Sequence, residues 1–126
     1  VIVFRLEGPD GRGPYHTLSE TDKRKLRSLY TLTRLGSCHP SPQEDFGRNS
    51  YNGERFFAGE HKHLRYGFAS MEQVRAWFPP ECRRTLARYW KVRLYRLKLR
   101  ANAHIFVGAK QVAFNPRDVE KREPCF

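Results

Sequence analysis

The chain has 126 residues, with 24 Lys+Arg against 13 Asp+Glu, a formal charge of +11 and three cysteines. That length holds one hydrophobic core and is short for two, so a single domain over residues 1–126 is expected. The longest purely apolar run, Val1-Ile2-Val3-Phe4, excludes a membrane-spanning helix, and Cys38, Cys82 and Cys125 form an odd set without a CxxC pair, which argues against a disulfide framework.

The opening VIVFRLE combines β-branched and aromatic residues and stops at Gly8-Pro9, which predicts a first strand followed by a loop, GPDGRGPY. Ser19 with Asp22 three residues on, then Leu26, Leu29, Tyr30 and Thr33 at helical spacing, predicts a capped amphipathic helix ending at Gly36. Residues 37–64 are rich in Pro, Ser, Gly and Asn and lack a sustained period, so they read as a long irregular region suited to recognition or disorder. Arg65-Tyr66-Gly67-Phe68 predicts a short strand.

Ser70 followed by Gln73 is a capping box that starts a helix carrying Met71, Val74 and Phe78 on one face with Trp77 beside it; Pro79-Pro80 ends it. A second helix is predicted from Glu81 to about Trp90, with Cys82, Leu86 and Tyr89 inward, the arginines outward, and at most Trp90 free among its aromatics. VRLYRLKL reads as a strand whose apolar positions change phase between Leu94 and Tyr95, which predicts a bulge or two-sided burial; Tyr95, Leu97 and Leu99 would face the core. HIFVGAKQVAF predicts two short strands about Gly108, stopped at Asn115-Pro116. The element order gives an α+β class with a mixed or antiparallel sheet and about three helices.

The positive charge is concentrated. Between Arg83 and Arg100 stand Arg83, Arg84, Arg88, Lys91, Arg93, Arg96, Lys98 and Arg100 without an acidic residue, and Lys23-Arg24-Lys25 with Arg27 and Arg34 form a second basic run. Two readings remain open: solvated faces of a basic protein, or a grip on a polyanion. Tyr89, Trp90 and Tyr95 interleave with the first run, a mixture suited to a single strand or RNA-like partner, through Arg83, Arg84, Arg88, Arg93, Arg96, Lys98 and Arg100. An acidic protein face is the other partner such a surface would attract.

Cys38-His39 and His61-Lys62-His63 match no closed zinc pattern, so no metal is expected; His16 and His104 stand alone. Glu44-Asp45 reads as a pair of solvated loop charges. No nucleophile elbow and no glycine-rich phosphate cradle is present.

Three stretches together resemble the ADP-ribosyltransferase fold. VFRLE with Arg5 looks like its early strand, YGFASMEQVRAWF with Ser70 like its middle motif, and AKQVAFNP like its late strand, with Gln111 where that family has its catalytic Glu. The resemblance implies a split sheet holding NAD in a cleft, with Arg5 near the cofactor, Ser70 supporting the pocket and position 111 facing the nicotinamide ribose. Without that carboxylate the positive charge developing on the ribose is poorly stabilised, and Ala109 offers no substitute.

The chain also looks like the small basic accessory proteins of bacteriophages and prophages. That resemblance implies host takeover or suppression of a bacterial defence, the anti-CRISPR class among them; the basic cluster without adjoining catalytic groups adds the expectation of a non-catalytic protein, needing no cofactor, that binds a nucleic acid or nucleoprotein in the bacterial cytoplasm. An NAD-dependent ADP-ribosyltransferase or NAD glycohydrolase built on Arg5, Ser70 and Gln111 is the alternative.

Overall fold

In the computed structural model, which describes residues 1–14, 19, 21 and 64–125, VIVFRLE folds as β1 (Ile2–Glu7). It is followed by β2 (Arg65–Gly67), α1 (Met71–Trp77), α2 (Pro80–Trp90), β3 (Arg93–Leu99), β4 (Ile105–Val107), β5 (Val112–Phe114), a 3-10 turn at Pro116–Asp118 and β6 (Val119–Pro124). The described residues thus form a small α+β fold of two helices and two antiparallel three-stranded sheets, in the orders β1-β3-β6 and β2-β5-β4. Nearly all of the predicted helix of residues 19–36 with its basic run, the irregular region from residue 37 to 63, Cys38-His39, Glu44-Asp45 and the histidines at 16, 61 and 63 lie outside the described residues.

Among the described residues, one backbone bridge joins the two sheets. Phe4 and Phe68 exchange both backbone hydrogen bonds, Phe4 N to Phe68 O at 2.8 Å and Phe68 N to Phe4 O at 2.7 Å, which links the edge of β1 to the end of β2. Gly67 makes that approach possible. An added Cβ there would lie 2.6 Å from Val3 Cγ1 and 2.7 Å from Phe4 O, so the absence of a side chain is what lets the two backbones come together.

Side-chain alternation along β1 serves two cores at once. Phe4 and Leu6 turn toward the helices, where Leu6 packs with Phe68, Val74, Trp77, Phe78, Cys82, Leu86, Val92 and Leu94. On the opposite face Val3 joins Leu97 and Leu99 of its own sheet and Val112 and Phe114 of the other. The phase change in VRLYRLKL follows: Leu94 pairs with Leu6 under the helices, while Leu97 pairs with Val3 between the sheets. Burial on both faces explains it, and the register irregularity falls later, between Lys98 and Leu99 against β6.

The capping box forms as predicted at one end and with a shift at the other. Ser70 Oγ accepts from Gln73 N at 3.2 Å, while Gln73 Oε1 accepts from Ala69 N at 2.8 Å. Pro80 occupies the first turn of α2, where its missing N–H costs nothing, and Lys91 ends the helix in the left-handed conformation with φ 56°.

Two expectations are corrected. Tyr89 is 65% exposed rather than inward, and half-buried Trp90 packs on the core instead. The inward row advances by four residues, Cys82, Leu86, Trp90, which leaves Tyr89 on the flank of the last turn. The chain also does not end its regular structure at Asn115-Pro116: VEKREP pairs with β3 as an edge strand, unanticipated because most of its side chains are exposed and charged.

Candidate functional site

Beside the seam between the sheets lies a cleft of about 340 Å³. Arg5 and Leu6 of β1, Gly13 of the following loop, Tyr66 and Phe68 around β2, Trp77 and Phe78 at the end of α1, and Gln111 before β5 all contribute to its lining. Arg12 and Arg65 line it too. Its walls are therefore aromatic with several guanidinium groups, a combination that suits a planar ring bearing an anion.

Arg5 is the least ordinary residue in this cleft, only 8% exposed. Strand alternation puts it on the Val3 face, and the register sets it opposite Tyr95. Its Nη1 donates to the carbonyl oxygen of Tyr66, and its Nε lies 3.5 Å from Glu7 Oε1, an ionic contact without hydrogen-bond geometry. Gly13 packs against the guanidinium: a Cβ there would be 3.5 Å from Nη2. Burial pulls the Arg5 pKa down to about 10; Glu7 opposes this, and the charges of Arg65 and Arg122 add to it. The group is still a cation at neutral pH.

Glu7, 5% exposed, is the carboxylate that holds the surrounding cations together. Besides Arg5 it takes Arg122 Nη2 of β6 at 2.9 Å. Arg65 Nη1 donates to Gly11 O at 3.1 Å, where φ is +80° and glycine is favoured. Three arginines around one buried glutamate leave a net positive charge next to the cleft. Burial pushes the Tyr66 hydroxyl up, so it is a neutral donor at physiological pH.

The three residues singled out by the motif resemblance separate. Arg5 and Gln111 line the same cleft, with Gln111 only 5% exposed. Ser70 does not line it; it lies in a neighbouring hollow with Gln73, Trp77 and Lys110, and its hydroxyl caps α1. Ser70→Ala is therefore expected to cost about 1 kcal/mol of stability, the worth of an N-cap, measured by urea unfolding, and to leave ligand binding in the cleft unchanged.

The seven basic residues expected to grip a polyanion, Arg83, Arg84, Arg88, Arg93, Arg96, Lys98 and Arg100, also separate. Arg100 Nε sits 2.6 Å from Asp118 Oδ1, and Arg96 lies 3.5 Å from Glu123, which Lys121 also holds at 2.7 Å. Hydrogen bonding from Lys121, with the nearby charges of Lys121 and Arg96, keeps the Glu123 carboxyl below its usual range. These cations are partly neutralised by the molecule's own carboxylates. Arg83, Arg84 and Arg93 line one groove, whereas Arg96, Lys98 and Arg100 do not line it.

Residue-type reasoning missed Glu7, Tyr66, Arg65 and Arg122. A signal existed for Glu7: it stands two and four residues from Arg5 and Val3 in a predicted strand, so all three must share a face. Among the described residues no group of three or more His, Cys, Asp or Glu could hold a metal ion, and no helix is long and apolar enough to cross a membrane.

A family model described as Bacteriophage T4 Y00F protein matches residues 1–125. No curated protein and no solved structure matches the chain.

Proposed function

The chain belongs to the Bacteriophage T4 Y00F protein family, and from that premise we propose that it is a phage accessory protein that binds an NAD-type dinucleotide in the seam cleft, in the manner of an ADP-ribosyltransferase fold. The observation that carries this reading is the meeting of buried Arg5 and Gln111 in one aromatic-walled cleft at the junction of two three-stranded sheets. A split sheet with an early-strand arginine and a late-strand polar residue is what the motif resemblance implied.

The residues present fit the ligand class. Arg5 and Arg65 offer cations for the phosphates, and Tyr66, Phe68, Trp77 and Phe78 offer apolar faces for a ring. A volume of about 340 Å³ is at the small end for ligand pockets and suits part of a dinucleotide. Bound NAD would supply an ADP-ribosyl group with nicotinamide as the leaving group. The chain's own contribution is to hold the phosphates, exclude water with its aromatic wall and present the Gln111 amide. A neutral amide stabilises a developing positive charge far less than a carboxylate, so binding outweighs turnover. In an infected cell this reading assigns the protein to host takeover or suppression of a defence, the anti-CRISPR-like class included.

Calorimetric titration with NAD, paired with chromatographic assay of nicotinamide release, tests the reading. Saturable binding with slow release is expected. Gln111→Glu should raise release about a hundredfold to a thousandfold, of the order of a single charge-stabilising group. Absence of binding of both NAD and ADP-ribose at millimolar concentration by the folded protein would overturn it.

A further inference from the structure

A second surface, on the far side of α2, has a different chemistry. A groove of about 380 Å³ runs between α2, the start of β3 and the end of β6. Met71, Val92, Leu94 and Pro124 give it an apolar floor, and Arg83, Arg84 and Arg93 stand along it. None of its described lining residues is acidic. The helix carries the pattern onward: Arg88 lies one turn beyond Arg84, about 6 Å along the axis, and its guanidinium lies 5.4 Å from the ring centroid of exposed Tyr89. Tyr89 in turn meets Trp90 edge to face at 5.9 Å.

We propose that this groove and the Arg84–Tyr89 face of α2 bind single-stranded nucleic acid, with the arginines on phosphates and Tyr89 and the apolar floor against bases. One feature favours this over an acidic peptide, and a second favours a polyanion of either kind. An exposed aromatic beside a guanidinium is a stacking platform, which a peptide does not need. The cations are also left without the carboxylates that neutralise Arg96 and Arg100: no ion pair joins Arg75, Arg84, Arg88 or Arg93 to another described residue, and Glu72 and Glu81 are the only acids on the two helices. Partial burial, then the like charges of Arg75 and Arg84, hold the Arg83 pKa below its ordinary value. Arg83 itself is fixed by donation from Nε to Phe78 O at 3.1 Å.

The test is fluorescence anisotropy of end-labelled oligo-dT and oligo-U against the whole protein, without NAD, at increasing salt. Binding at low salt is expected, with log affinity falling linearly against log salt. Arg84→Glu with Arg88→Glu should weaken it at least about tenfold and lower the salt slope by about 2, while Lys98→Glu changes affinity by less than about twofold. Tyr89→Ala, which removes only an exposed ring, should weaken it several-fold and serves if the charge-reversed protein does not fold. The proposal is overturned by no binding at low salt, by equal loss with Lys98→Glu, or by polyglutamate competing as well as unlabelled oligonucleotide. Leu6 lies beneath both the groove and the cleft, but none of the substituted residues lines the cleft, so loss of NAD binding and loss of oligonucleotide binding are read separately.

Discussion

Gly67→Ala is expected to destabilise the protein by about 2–4 kcal/mol, since an added methyl group meets a closer approach there than at Gly11 or Gly13. The new Cβ would sit 2.6 Å from Val3 Cγ1 and 2.7 Å from Phe4 O. Val3 is confined by Leu97, Leu99, Val112 and Phe114, so its side chain has little room to turn away. Phe4 O accepts from Phe68 N and cannot retreat without loss of the bridge that joins the sheets. Relief therefore requires the sheets to separate, which opens the cleft as well as the core. Thermal denaturation followed by circular dichroism checks this, with a fall in midpoint on the order of 10 °C expected at this chain length. A wild-type midpoint would show that the seam gives way freely and that its close approach contributes nothing to stability.

What could be read in advance depended on how local its cause was. The cap of α1 is set by Ser70 and Gln73 within one turn, and so are its stop at Pro79-Pro80 and the strand break about Gly108. Strand β6 was hidden because VEKREP has the composition of a solvated tail, and only pairing with β3 gives it structure. Tyr89 and Trp90 were exchanged because a helical face averaged over three turns does not fix which of two adjacent residues the last turn buries. The junction of Phe4 with Phe68 depends on contacts between distant segments, which no periodicity reports. Arg5 and Gln111 were named through the motif resemblance, yet the glutamate that holds Arg5 was overlooked. Its partner Arg122 comes from the very strand that the composition concealed.

That concealed strand also changes how the molecule's charge is understood. The run of basic residues from Arg83 to Arg100 suggests one polyanion-binding face, but β6 and the turn before it bring Asp118 and Glu123 against Arg100 and Arg96. Cations at that end of β3 are consumed in holding an edge strand in place. Among the described residues, the arginines of α2 and Arg93 at the start of β3 form no ion pair, although Arg93 stands opposite Glu7 in the register, so the available field lies along α2 rather than beside β6.

Arg5→Ala is expected to cost about 2–3 kcal/mol and to abolish ligand binding in the cleft. The substitution removes the donor to Tyr66 O and one of the two cations on Glu7. Because Arg122 stays at 2.9 Å, Glu7 keeps a partner, and the cost falls below the 3–5 kcal/mol or so typical of orphaning a buried charge. Arg5→Lys separates folding from function: it keeps a cation near Glu7 but loses the planar fork, so binding should fall at least about tenfold with a smaller change in stability. The sign of the pH effect follows from the depressed pKa. A base pulled down from its ordinary value to about 10 costs stability while it is charged, and that cost is relieved only as pH rises above about 10 toward the ordinary arginine range. Anion binding through Arg5 should therefore be steady across neutral pH and weaken above about 10. Calorimetric titration with NAD beside thermal denaturation of both variants decides the matter: an Arg5→Lys protein that binds as tightly as wild type would remove the guanidinium from the site, and an Arg5→Ala protein that melts like wild type would remove it from the seam.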